Sequence, residues 1–380
     1  MRTTVKREHL VELIQKVKPA VPGRATIPVL TNILLEAKDG RLTATGYDLE
    51  VGLISSCPAQ VKKAGRMLIP CQSFEQLVKA LTATSVTLYD ETKVEKYETS
   101  EYRRKEDGEG EYVKVPRERR QTTIKLEADK SVASFPGHDP KDYPAMPKIP
   151  RMTLRFTDLA KAIPEVLYAA AKEDTRPVLN GICFNPKKRM ELAAADGFRL
   201  AITTTPFTGK LSEPIIILAR ACKLLTLMPG KIEAGLAQGT GVSAIVFVQK
   251  GLTLMTQLIQ GEFPKYDQLV PTKGSFLRCS AEALREAIRQ VGVVQAVNKI
   301  IRLRTKGHTL LVSMKQDDAT VEAKVSATGK AQIAFDVRYL TDLLKRMDGT
   351  FAIRITDGQS PAVAKVNGST HVLMPHFVDW

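Results

Sequence analysis

Few residues in this 380-residue chain have the types and spacing that chemistry requires. Asp48 and Asp196 each end an alternating strand pattern and could ligate the metal of a nuclease, but a lone aspartate at a strand end more often shapes a turn. The histidines His9, His138, His308, His371 and His376 are dispersed, without metal-ligand spacing. The cysteines Cys57, Cys71, Cys183, Cys222 and Cys279 are odd in number and form no CxxC pair, so they read as small buried hydrophobes in a reducing compartment. Gly209-Lys210-Leu211 lacks the upstream glycine and the hydroxyl of a phosphate loop, and no GxGxxG, HExxH or GxSxG occurs. No catalytic residue, metal or cofactor is expected, and weight moves toward a binding or scaffold protein.

Composition narrows the partner. Lys+Arg number 56 and Asp+Glu 41, a net charge of +15, which favours a polyanion and nucleic acid first. No apolar run approaches the ~20 residues that span a bilayer. The N-terminus turns charged at once (Arg2, Lys6, Arg7, Glu8), so neither a signal peptide nor a membrane partner is expected, and the cytoplasm is the expected compartment.

The elements that must position these residues recur. An amphipathic helix over Val5 to Val17, with Leu10, Leu13, Ile14 and Val17 on one face, is followed by the run 27–35, the hairpin signal Asp39-Gly40 and a strand over Arg41 to Val51. The same order returns from Phe156: a helix marked by Leu159, Ile163, Val166 and Leu167, then Arg176-Pro177-Val178-Leu179, a turn at Asn185-Pro186, and a strand reaching Asp196. A third copy begins at Ser280, with a capped helix from Glu282 to Val294, a strand Ile300 to Arg304, a turn at Lys306-Gly307 and a strand Thr309 to Met314. Second helices are expected at Ser73 to Thr82, Ala219 to Met228 and Val337 to Met347. Three units at 1–147, 148–272 and 273–380 follow, each with two helices and hairpin-linked strands, so the expected class is α+β with antiparallel sheets. Segment 93–121 breaks the pattern. It is crowded with charges of both signs and reads as an extended hairpin or a disordered insertion, nearly neutral overall.

These residues carry a resemblance. Ile27-Pro28-Val29-Leu30-Thr31-Asn32 with Gly46-Tyr47-Asp48, Asp174 to Gly181, Ala195-Asp196-Gly197-Phe198-Arg199-Leu200, Gly261-Glu262-Phe263-Pro264 and Val372-Leu373-Met374-Pro375 resemble, in order over nearly the whole chain, the bacterial DNA polymerase III beta subunit, or sliding clamp, family. The resemblance implies a DNA-clamp fold, a head-to-tail homodimeric ring with twelve helices around a central hole, and a non-enzymatic processivity function on double-stranded DNA without sequence preference. It implies DNA contacts at Arg24, Lys79, Lys172, Arg176, Arg220, Lys223, Arg285 and Arg289. It also implies an apolar pocket for short linear peptides of the polymerase and the clamp loader, walled by Leu179, Gly197, Phe198, Arg199, Leu200, Pro264, Leu269, Val372, Met374 and Pro375. Ring closure is expected at an edge strand bearing Ile124 and Leu126 and at Val293 and Val294. The chain departs from the family at Phe198, where His is common, at Ala195, where Thr or Ser is common, in the 93–121 insertion, and in a tail, His376 to Trp380, that could fold over the pocket. Two competing readings are a metal-dependent nuclease using Asp48 or Asp196 and a monomeric basic nucleic-acid-binding regulator.

Overall fold

The structure, a computed structural model, describes all residues except 105–109, 174–175, 239–242, 294–298 and 317–318, and describes no side chains at 95, 103–104, 110–111, 113, 118–121, 238 and 316. It contains two compact units: residues 1–150 with 246–256, and residues 151–245 with 257–380. Six α-helices occur among the described residues, and all paired strands described are antiparallel, as hairpin linkage requires.

In the first unit, α1 (Arg7–Val17) buries Leu10, Leu13, Ile14 and Val17, the face set by its apolar spacing. It starts later than expected because Arg2–Lys6 is claimed as a strand, paired with Gln60–Lys63 on one side and Ser85–Tyr89 on the other. Asp39 and Gly40 close a two-residue hairpin with φ of 48° and 71°, the left-handed pair that such a turn demands. The strand from Arg41 stops at Tyr47, short of Val51, because Asp48 begins a turn. The second helix, α2 (Cys71–Ala80), packs on α1 and buries Phe74 and Val78.

In its described residues, segment 93–121 takes the hairpin alternative, and 105–109 lie outside them. Strands Ser85–Arg104 and Gly110–Ala128 stay in register from Thr87 opposite Glu127 to Arg104 opposite Gly110. Among the described residues only Ser85–Tyr89 and Thr123–Ala128 also pair with further strands, so the rest forms a two-stranded ribbon. Cross-strand pairs hold it: Lys114 with Glu98 at 3.3 Å, Arg117 with Glu101, and Tyr102 edge-on to Tyr112 at 5.3 Å between ring centroids.

Ile124 and Leu126 require correction as interface residues. Both are fully buried, and their strand lies inside its sheet, between Ser85–Arg104 and Ser131–Pro136. The edge is Ser131–Pro136, and its exposed apolar side chain is Val132.

The second unit holds α3 (Leu159–Leu167), α4 (Ala219–Leu225), α5 (Ala281–Val291) and α6 (Val337–Leu344). α3 packs on α4 and α5 on α6, repeating the α1–α2 pairing. Three local expectations shift. Asn185 and Pro186 lie within a strand opposite Glu191 and Met190, so that turn falls at 187–189, and the later turn falls at Gly307-His308. Ser280 caps α5 by accepting from the Ala283 N–H at 3.1 Å, but the helix ends at Val291, where Gly292 follows. Val293 therefore lies beyond the helix and is 78% exposed, and Val294 lies outside the described residues. All five cysteines are buried and free; burial pushes their thiols up, to about 11 for Cys57, Cys71 and Cys279. No described helix is long and apolar enough to cross a membrane.

Candidate functional site

Two turns of the same construction stand at the strand ends that first drew attention. Asp48 Oδ1 accepts from the N–H groups of Glu50 (3.1 Å) and Val51 (2.8 Å); Asp196 Oδ1 accepts from those of Phe198 (3.0 Å) and Arg199 (3.0 Å). Both carboxylates are committed to backbone, which bears out the turn reading, and among the described residues no cluster of three acidic, histidine or cysteine side chains could hold a metal.

The Asp196 turn builds a site. Gly197, at φ 91°, supplies the left-handed step that sends Phe198 outward and Arg199 inward. Arg199, only 7% exposed, donates from Nε to Asp196 Oδ2 at 2.9 Å and from Nη1 to Asp342 Oδ2 at 2.8 Å. Its guanidinium also lies over the rings of Tyr168 (5.0 Å) and Tyr339 (4.8 Å). Burial pushes the Asp342 carboxyl up, but the hydrogen bonds from Arg199 and Lys345 outweigh it and hold Asp342 below the usual carboxylate range. Beneath, fully buried His371 shares a hydrogen bond with Tyr168 Oη at 3.0 Å; burial, then the Arg346 charge, lowers the imidazole to about 4 and keeps it neutral. Phe198 stacks on Tyr339, with centroids 5.7 Å apart and planes at 17°.

Asp196, Phe198, Arg199, Tyr339 and Asp342 line a cavity of about 590 Å³. Of the ten expected pocket residues, Leu179, Gly197, Phe198 and Arg199 meet there. Leu200 pairs with Val372 across adjacent strands, and the Met374 N–H donates to the Phe198 carbonyl at 2.8 Å. Leu200 and Val372 are themselves core, packed with Cys183, Tyr266 and Val363. Phe263, Tyr266 and Val270 pack in that same cluster, while Pro264 and Leu269 on their segment stay exposed, as does Met374, and Pro375 is half-buried. Sequence reasoning missed Tyr168, Arg338, Tyr339 and Asp342. Their helices were legible, but the pairing of α6 with the Asp196 turn had no local signal.

The tail does not enter this cavity. The His376 N–H donates to the Ala334 carbonyl at 2.8 Å, and Phe377 to Trp380 line a separate hollow with Asp357 to Gln359.

The expected DNA contacts divide. Arg24, Arg220, Lys223 and Arg289 have exposed side chains, Arg289 beside Glu286. Lys79 is paired with Glu75 at 2.7 Å, and Lys18 holds the other oxygen of that carboxylate at 2.6 Å. Lys172 and Arg176 line the Phe198 cavity, and Lys172 lies past the end of α3. Arg285 needs correction as a free helix-face cation. Its Nη1 donates to the carbonyls of Leu344 (2.7 Å) and Met347 (2.8 Å), satisfying the C-terminal end of α6, and Nη2 binds Glu282 at 3.0 Å.

Comparison with known proteins agrees in fold and family. Residues 1–106 match the family model described as DNA polymerase III beta subunit, N-terminal domain, and residues 153–265 match the central domain of the same subunit. The beta sliding clamp of Streptomyces coelicolor is 26% identical over 96% of this chain and 93% of its own length, and that of Salmonella typhimurium 25% over 99% of each. The crystal structure of the DNA polymerase sliding clamp from Bacillus subtilis superimposes with a TM-score of 0.84 at 19% identity, covering all of both chains. The fold and the matched domains define a sliding clamp. The chain belongs to the DNA polymerase III beta subunit family and acts as a DNA sliding clamp, a processivity factor and not an enzyme.

Proposed function

We propose that two copies of this chain close head to tail around duplex DNA in the cytoplasm, each contributing three repeats bounded at 1–147, 148–272 and 273–380. The observation that carries this reading is the recurrence of one unit, a helix pair on antiparallel strands, as α1–α2, α3–α4 and α5–α6. Six such units supply twelve helices for the lining of a ring. A closed ring cannot leave DNA sideways, so it needs only weak, sequence-independent attraction to phosphate. Arg24, Arg220, Lys223 and Arg289 supply it, with Lys79 a weaker contributor because Glu75 offsets its charge.

Ring closure joins two open sheet edges. One is Ser131–Pro136, with Val132 64% exposed. The other is Ala319–Thr328, which pairs with Thr309–Gln316 along its length but with Ser275–Ser280 only at Ala327 and Thr328. An open edge offers unpaired N–H and C=O groups that a second chain can complete, and Val293, 78% exposed, adds an apolar contact. The cavity beside Phe198, with exposed Leu269 and Met374, receives a short linear peptide of the polymerase or the clamp loader.

The deciding experiment loads the protein onto circular and linear duplexes of equal length and follows retention after gel filtration. Retention on circles and loss from linear ends is expected. Equal retention on both overturns the ring and leaves an ordinary DNA binder.

A further inference from the structure

The cavity has two features that an apolar peptide slot does not require. The first is Phe198, a large apolar side chain left 59% exposed although one face is engaged with Tyr339. The stack fixes the ring in place, so its free surface is a rigid shelf that a second ring can cover at little entropic cost. The second is the charge around it. Asp196 and Asp342 are consumed by Arg199, and Arg338 keeps its own partner, Asp336, at 2.7 Å. Lys172 and Arg176 are exposed on the wall and make no ion pair among the described residues, against one exposed acid on that wall, Glu173. The cavity therefore offers an aromatic surface with two exposed cations, Lys172 and Arg176, on its wall.

We propose that this pocket prefers acidic-aromatic segments: the partner's aromatic side chain lies on the Phe198–Tyr339 shelf, and a carboxylate next to it meets Lys172 and Arg176. The proposal rests on reading the cavity as the peptide pocket. Stacking supplies the preference for a ring, and a guanidinium facing a carboxylate supplies the preference for acid.

The test uses the full-length protein and three fluorescein-labelled octapeptides that share a Leu-Leu anchor and differ ahead of it: Asp-Trp, Asp-Ala and Asn-Trp. Fluorescence polarisation is expected to show the Asp-Trp peptide binding about tenfold more tightly than Asp-Ala, and several-fold more tightly than Asn-Trp at low salt. F198A should bring the Trp-to-Ala ratio close to one, whereas F198Y, which keeps the ring, should preserve it. Lys172→Ala with Arg176→Ala should erase the Asp-to-Asn ratio. A native ratio near one, or a tenfold ratio that survives F198A, overturns the shelf. The pocket itself is judged separately: if M374A/P375A leaves the affinity for Asp-Ala unchanged, the peptides bind elsewhere and both readings fall.

Discussion

The turns at Asp48 and Asp196 use the same carboxylate bonds to the backbone, yet only one became a site. In the first, the residue after the aspartate is Leu49, forced to φ 79°, and the fourth position is Val51, an apolar residue sunk in the core. In the second, Gly197 takes the left-handed step without strain, and the fourth position is Arg199, which turns the spare carboxylate oxygen of Asp196 into one end of a chain reaching Asp342 and two tyrosines. A scaffold that repeats can keep a backbone device in two copies and spend it on binding in one. The difference lies in what the fourth residue contributes.

The largest effect should come from removing the carboxylate in the elaborated turn. Asp196→Ala strips a partner from a buried guanidinium as well as two N–H acceptors, and should cost about 4 kcal/mol. Asp48→Ala removes the acceptor of the Glu50 and Val51 N–H groups and should cost about 1 kcal/mol. Urea unfolding of the two variants measures this, and equal losses would break the comparison.

Next comes acid. His371 titrates at about 4 in the fold, below its ordinary 6.5, so the unfolded chain takes the proton first as pH falls. The contribution is complete above pH 6.5 and is lost on descending toward pH 4, on the order of 3 kcal/mol in all. Urea midpoints at pH 7 and pH 4.5 should converge in H371Q relative to native protein. Identical pH slopes for the two proteins would mean that the imidazole is not held neutral.

The smallest effect concerns the left-handed residue. Among the described residues a Cβ at Gly197 would meet only Arg176 Nη1, at 3.6 Å, so Gly197→Ala should cost about 1 kcal/mol from backbone strain. Leu49→Gly should change stability by less than about 0.5 kcal/mol, because relief of strain offsets the apolar surface given up. Thermal melts of the pair sharpen the contrast, and a large loss at Leu49 would show that its side chain, not the turn, matters.

Sequence reading reached whatever is decided over a few residues. The apolar faces of α1 and α5, the Asp39-Gly40 hairpin and both aspartate turns follow from local spacing and turn chemistry. It failed where a distant segment decides. Arg285 looks like a free cation on its helix, but the carbonyls that consume it lie 59 and 62 positions away. The resemblance set Ile124 and Leu126 on an edge strand; which strand is the sheet edge depends on pairing order, which short motifs do not encode. Part of the pocket was legible because Gly197, Phe198 and Arg199 are contiguous. Tyr339 and Asp342 were not, because α6 enters the site through tertiary packing.

The charged ribbon lets this molecule be cut without being opened. Lys96, Lys114 and Arg117 stand exposed to trypsin on strands zipped together by backbone hydrogen bonds from Thr87 opposite Glu127 to Arg104 opposite Gly110. A single scission at Lys114 would leave one fragment holding α1 and α2 and the other holding α3 to α6, joined through the shared sheet. Covalent continuity and mechanical continuity are then separate properties. In the proposed ring, a nicked chain would run as two bands when denatured and still encircle its DNA as one link.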